Sequence, residues 1–310
     1  MTKPVTTKPV TTKPDGWRPC SDVAFDRGDQ LEGTGSPATK WFLIELSGSW
    51  GPSALMQSPT VIDPVLGKAI VRRIEQSGMR PLAIRRTGRR TQSAAWRWAL
   101  VDTTPGVETI RWGQVERPED FLDVPLDGST GAESDEPFVV VCTHGRHDQC
   151  CAVHGRRAAL ALDATHPDLM WECSHLGGDR FAGTMVMFPH GMYYGQVDRT
   201  DPSELLALYL DGKVDTRFLR GRCSVSAPVQ AAQHHARLLL DDNRIDTLAP
   251  LSEDGDGQMW TIVLAHDSGP VTVVLDQSVS EPILSTCAAR VPGGVRTFTL
   301  RSIGSSSQHR

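Results

Sequence analysis

Short apolar runs separated by polar breaks dominate the first half of the chain. Lys40 to Leu46 (KWFLIEL) is almost continuously apolar, the pattern of a strand buried on both faces, and Ser47-Gly48-Ser49-Trp50-Gly51-Pro52 ends it. From Asp63 to Gln76 the spacing changes: Leu66, Ile70 and Ile74 recur at i, i+4 and i+8, which predicts a helix. Asp63 suits its N-cap, Pro64 its first turn and Gly78 its end. Pro81 to Arg86, Trp96 to Val101 and Thr109 to Val115 read as further strands, giving a β-α-β-β-β order.

The same plan returns further on. Phe138 to Cys142 (FVVVC) and Leu169 to Cys173 (LMWEC) read as strands, with a helix from Cys151 to Leu162 between them. Gly183 to Phe188 and Met192 to Val197 form a hairpin across Pro189-His190-Gly191. A helix runs from Asp201 to Leu210, with Asp201 as cap, Pro202 first and Glu204 three residues past the cap. The β-α-β-β-β-α order with a late hairpin is that of a thioredoxin-like layer, and the first half could be a diverged copy. Pro228 to Asp241 reads as a helix, and Met259 to Ala265 with Val271 to Leu275 as a second hairpin. The expected fold class is α/β (α+β): a thioredoxin-like domain at 138–215, preceded by an α/β half at 17–126 and followed by a small α+β extension at 216–303. Residues 127–137 (DGSTGAESDEP) are polar and acidic and read as the linker.

Composition sets the outer limits. The 310 residues are 39% hydrophobic and 22% charged, enough apolar material for a real core. The net charge of −5 argues against general nucleic-acid binding. No apolar run is long enough to span a membrane. The opening MTKPVTTKPVTTKP lacks an apolar h-region, so residues 1–16 are expected to be a disordered tail rather than a secretory signal, and the chain to be cytoplasmic. Seven cysteines in such a chain are expected to be reduced, the state in which thiols bind metals.

The cysteines also carry the chemistry. Cys142-Thr-His144 and Cys173-Ser-His175 lie where two strands run into loops, and Cys150-Cys151 follows the first pair. Thiolates and imidazoles are the donors that zinc and iron–sulfur clusters require. The second loop, His175-Leu-Gly-Gly-Asp-Arg-Phe-Ala182, offers Gly177 and Gly178, where backbone can approach a bulky group and N–H groups can face cluster sulfides. Ends of neighbouring strands lie close, so donors from both loops could meet. Spacing alone permits three sets: Cys142, His144, Cys173 and His175; Cys142, Cys151, His175 and Asp179; or Cys142, Cys151, Cys173 and His175. Taken singly, Cys20, Cys223 and Cys287 read as small buried hydrophobes and Cys150 as a spectator facing away from Cys151. His144 reads as a cap or carbonyl partner, and His147, His154 and His190 as surface groups. Asp179 has Arg180 or Arg146 as competing partners.

From Phe138 to Val197, the motifs CTHGRHDQCC, HLGGDRFAG and PHGMYYG resemble the sucrase/ferredoxin-like family, relatives of the thioredoxin-like [2Fe-2S] ferredoxins. Arg18-Pro19-Cys20-Ser21, the KWFLIEL strand and Val229-Gln230-Ala231-Ala232 fit the same resemblance, which leaves only the Thr-Lys-Pro tail outside. It implies one [2Fe-2S] cluster and electron transfer. It places a first ligand pair on Cys142 and Cys151 and a second on His175 and Asp179. The resemblance implies histidine at both second-pair positions in some relatives, and a carboxylate is a harder donor than a thiolate. The fourth ligand is therefore expected at either Cys173 or Asp179. The alternative is a zinc- or thiol-based binding or regulatory protein of thioredoxin-like fold.

The arginines at 72, 73, 80, 85, 86, 89 and 90 stand out in an acidic chain. They read either as a docking patch for an acidic redox partner or as a solvated face. No Walker loop, GxGxxG, GxSxG or HExxH is present, and no carboxylate pattern suggests glycoside hydrolysis. A redox carrier fits better than an enzyme with its own substrate.

Overall fold

The computed structural model describes residues 18–88 and 95–305. The expected N-terminal tail, Arg89 and Arg90 lie outside them. The described chain runs α1 (Cys20–Arg27), β1 (Lys40–Glu45), α2 (Pro64–Gln76), β2 (Arg80–Arg85), β3 (Trp96–Asp102), β4 (Thr109–Val115) and β5 (Ala132–Glu133). Then follow β6 (Phe138–Cys142), α3 (Arg156–Thr165), β7 (Met170–Cys173), β8 (Met185–Phe188), β9 (Met192–Tyr194), α4 (Pro202–Leu210) and β10 (Leu219–Arg222). The chain finishes with α5 (Ala227–Leu240), β11 (Pro250–Gly255), β12 (Met259–Leu264), β13 (Val271–Val279) and β14 (Arg296–Ser305).

Local chemistry explains most element ends. Asp63 accepts the amides of Val65 and Leu66 and caps α2, whose end is marked by Gly78 at φ +78°. Asp201 accepts the Ser203 amide to start α4, and Ser226 accepts the Val229 amide to start α5. By contrast α1 starts after Pro19 with no side-chain cap, so nothing in the local sequence announces it. The segment read as a linker contributes β5, a short edge strand paired to β4.

The fold is mixed α/β, with a ten-stranded sheet ordered β10-β9-β8-β6-β7-β2-β1-β3-β4-β5 and a four-stranded antiparallel sheet β11-β12-β13-β14. Within the large sheet the two halves have one plan. β1 is parallel to β2 and antiparallel to β3, which pairs β4; β6 is parallel to β7 and antiparallel to β8, which pairs β9. Each first crossover carries a helix, α2 or α3, as parallel neighbours require. The second half thus has the thioredoxin-like order.

The halves join where β2 meets β7 through only the Ile84–Cys173 and Arg85–Glu172 partners. At this seam the sheet folds over on itself. Trp41 on β1 and Phe188 on β8 are four ladder steps apart, about 19 Å at 4.8 Å per step in a flat sheet. Their ring centroids are 5.3 Å apart. One apolar cluster therefore lies between the two half-sheets: Trp41, Leu43, Leu82, Val140, Cys142, Trp171, Cys173, Phe188 and Tyr193 all belong to it. The outer faces carry separate cores, under α2 (Phe42, Ile44, Ile70, Ile74) and under α3 and α4 (Val139, Val141, Leu162, Leu205). Alternate residues of β1 and β6 go to different cores, which is why both strands read as unbroken apolar runs. β10 extends the large sheet, while α5 packs on the small sheet through Val229, Ala232, Ile262 and Val273. No helix among the described residues is long and apolar enough to cross a membrane.

Candidate metal centre

β6 and β7 are parallel neighbours with Cys142 opposite Cys173, so the loops that follow them leave the same sheet end. The Thr143 amide donates to the Cys173 carbonyl at 3.2 Å and keeps the chains together past the strands. The first loop re-enters helix through a π-type turn, Cys151–Gly155. A Cβ at Gly155 would lie 1.9 Å from the Cys142 carbonyl oxygen, so only glycine lets this turn sit on the strand end. That contact brings the Cys151 thiol onto Cys142.

The second loop is pinned from beneath. Gly177 and Gly178 have φ of +95° and +79°, and a Cβ at Gly178 would fall 2.4 Å from Nη2 of Arg220. The buried Arg220 donates to the carbonyls of Gly177 (2.9 Å) and Thr34 (2.5 Å), and Arg80 donates to Leu176 O at 2.7 Å. Burial lowers the Arg220 pKa to about 10, still far above neutrality, so the loop rests on a permanent cation. A short 3₁₀ turn, Asp179–Phe181, then swings the Asp179 carboxylate inward.

The two loops bring Cys142, Cys151, His175 and Asp179 together. Cys151 Sγ lies 3.6 Å from Asp179 Oδ1, and His175 Nδ1 lies 3.0 Å from the same oxygen. His175 Nδ1 is buried and faces Asp179 Oδ1, although the approach is not aligned as a hydrogen bond. The Cys142 thiol is held well below the ordinary cysteine value, chiefly by the hydrogen bond from Cys151, with His175 adding to it against the cost of burial. Cys151 is pushed up by the same bond. Burial opposes charge on His175, but Asp179 and Cys142 outweigh it and raise its pKa to about 9. The result is a buried Cys142 thiol favoured as thiolate, facing a half-buried His175 and a carboxylate. Sulfur, imidazole and carboxylate are donor types that metal centres use.

The other sequence-predicted residues are placed as follows. Cys173 is fully buried in the inner core, where burial raises its thiol, and it faces the same side of the sheet as Cys142. Gly177 and Gly178 have a packing reason for being glycine in Ser36 and Arg220. His144 bonds the Gly51 carbonyl at 2.7 Å and packs edge-on against Trp50. Arg180 pairs with Asp29 at 3.3 Å, so it does not compete for Asp179. Arg146, with Arg85, Arg156 and His144, lines a cavity of about 230 Å³ beside the first loop.

His147 was expected at the surface. It is exposed, yet its ring stacks on His175 at 3.8 Å and its Nε2 lies 3.7 Å from Asp179 Oδ2. His147, His175 and Asp179 form a group close enough to hold an ion. Cys20, Cys150 and Cys287, read singly as hydrophobes or spectators, form a second group with Asp148. No spacing rule could join them, because they lie 130 and 137 residues apart along the chain.

Several of the clustered arginines have internal partners. Arg73 donates to the Val124 carbonyl, Arg80 to Tyr193 and Leu176, and Arg85 to Glu172 at 2.7 Å. Arg86 reaches three carbonyls and lies 3.7 Å over the Trp171 ring. Arg72 is exposed.

Residues 31–221 match the sucrase/ferredoxin-like family, and the chain belongs to it. Among solved structures it is similar to a cysteine-to-serine variant of the thioredoxin-like [2Fe-2S] ferredoxin from Aquifex aeolicus. The identity is 23% over 27% of this chain and 97% of that one, with a TM-score of 0.24, too loose to carry a ligand set across. No curated protein matches.

Proposed function

We propose that the protein is an electron carrier that holds one [2Fe-2S] cluster at the Cys142–Cys151–His175–Asp179 site. The observation that carries this reading is the meeting of two thiols, an imidazole and a carboxylate from two separate loops in a chain of a ferredoxin-related family. Cys142 and Cys151 would hold one iron; His175 and the buried Asp179 would hold the other. When bound, such a cluster supplies a site for one electron. The chain's own part is to present a ready thiolate at Cys142, to keep the inner side dry with Trp171 and Cys173, and to fix the second loop on Arg80 and Arg220. His147 and His175 form the partly exposed edge, where electrons would enter and leave. An acidic redox partner is proposed to dock near the exposed Arg72 of the arginine-rich segment, with an association rate that falls as salt rises.

Anaerobically purified protein should be coloured, bleach with dithionite, and contain about two irons and two sulfides per chain, as a cluster of this type requires. Colourless protein from iron-replete anaerobic cells would overturn the reading. Zinc near one per chain at these residues, with no iron or sulfide, would replace it with a zinc-binding regulatory protein.

A further inference from the structure

A second set of thiols lies on the other side of the vicinal Cys150–Cys151 pair. Cys20 Sγ is 3.6 Å from Cys150 Sγ, Cys150 Sγ is 3.2 Å from Cys287 Sγ, and Cys287 Sγ is 3.6 Å from Cys20 Sγ. The Asp148 carboxylate stands within the same group, with each donor atom within 4.8 Å of the others. These residues come from the start of α1, the first loop, and the segment between β13 and β14.

We propose that Cys20, Cys150, Cys287 and Asp148 form a structural site for a single tetrahedral divalent ion of the zinc class, separate from the cluster site. The sulfur triangle has the right size. Two thiolates bonded at about 2.3 Å to a tetrahedral ion stand about 3.8 Å apart, and a modest outward adjustment of the three sulfurs reaches that spacing. A dinuclear cluster would need donors in two pairs set farther apart, which a near-equilateral triangle does not offer.

The surroundings are built for sulfur carrying negative charge. The backbone amides of Cys20 and Ser21, the first two of α1, favour negative charge on the Cys287 and Cys150 sulfurs respectively. These amides stand at the positive end of the helix. The Asp148 carboxylate is oriented by the amides of Cys150 (2.7 Å) and Cys287 (2.6 Å), so one of its oxygens is fixed toward each side of the group. Cys20 and Cys150 are buried and Cys287 is partly exposed, which gives an ion a way in. Binding replaces the thiol protons, which pass to solvent; no oxidant is needed.

Such an ion would tie α1 and the C-terminal sheet to the loop that also carries Cys151. Its role would be structural, holding the extension against the cluster-bearing half. Two adjacent cysteines would then serve two centres, Cys150 the ion and Cys151 the cluster.

The test uses the full chain, purified anaerobically, with zinc, iron and sulfide measured on the same sample. Wild-type protein incubated with zinc sulfate and desalted should retain about one zinc per chain in addition to any iron. Cys287→Ala and Cys20→Ala should lose that zinc at least tenfold while iron, sulfide and the visible spectrum stay as in wild type. Cys142→Ser should do the reverse. Cobalt added to wild-type protein should give tetrahedral d–d bands and thiolate-to-metal charge transfer, both absent from Cys287→Ala, a readout independent of any folding defect in Cys20→Ala. Zinc retention unchanged in Cys287→Ala would overturn the site, and so would wild-type protein that holds no zinc or cobalt, or one isolated under reductant with a Cys150–Cys287 disulfide. Loss of iron alone would strike at the cluster reading and leave this site standing.

Discussion

At the scale of single residues, the candidate centre makes sharp distinctions between neighbours. Cys142 and Cys173 sit side by side on parallel strands, yet only Cys142 is bonded by Cys151 and held low. Cys173→Ser should therefore keep the visible spectrum and iron count, while Asp179→Ala should weaken iron retention roughly tenfold or more, the range seen when metal-site partners are removed. Iron analysis after desalting separates the two, and the opposite pattern would move the fourth donor to Cys173. His175→Cys should keep the cluster and lower its reduction potential, because thiolate donates more charge than imidazole. A potential unmoved in a spectroelectrochemical titration would take His175 out of the ligand set. Away from the centre, His154 Nδ1 meets Asp198 Oδ2 at 2.8 Å, with Asp22 at 3.4 Å and Arg157 also on Asp198. That bond raises His154, and it lowers Asp198 despite the cost of burial. The histidine's contribution is complete below its ordinary pKa of about 6.5 and fades as pH rises through the raised value; the carboxylate's is complete above about 3.9 and fades as pH falls through the lowered one. His154→Ala should cost about 1–3 kcal/mol near pH 5–6, and the deficit should shrink toward pH 9 in urea titrations. A deficit constant across that range would refute the charged pair.

At the scale of elements, propensity and capping were enough to place most of the structure. The Asp63 cap, the i, i+4 stripe and Gly78 define α2 almost to the residue, because those signals act within one turn. Asp63→Ala should cost about 1 kcal/mol of stability and leave iron content unchanged, since α2 touches only the outer core. Elements without local signals were not legible. α1 has no side-chain cap, and β11 is exposed throughout and charged, so neither shows an apolar period. The helix read from Cys151 begins as a π-type turn instead, because Gly155 must press against Cys142. Gly155→Ala should push that turn off the strand end. The expected result is a loss of about 1–3 kcal/mol, typical of overpacking, with poorer iron retention. Normal iron content in a stable Gly155→Ala protein would show that the turn does not position Cys151.

For the molecule as a whole, two like half-sheets share one core because the sheet doubles over at the β2–β7 seam. Trp171 shows the consequence: it stacks on Trp112 at 5.5 Å, although their strands are far apart in ladder order, and it carries Arg86 on its face. Trp171→Ala should cost about 3–5 kcal/mol and unfold both halves in one transition by calorimetry. Two separated transitions would mean that the halves are energetically independent. The sequence by itself determined strands β1–β4, β6–β9, β12 and β13, the main helices, the repeated order and the loops that hold Cys142, Cys151, His175 and Asp179. Each of these follows from forces acting over a few residues, or from motifs that fix a loop's chemistry. Tertiary structure alone decided the doubling of the sheet, the seat of His147 on His175, and the meeting of Cys20, Cys150 and Cys287. Those contacts join residues far apart along the chain, and burial of one shared apolar face, which has no sequence period of its own, is what brings them together.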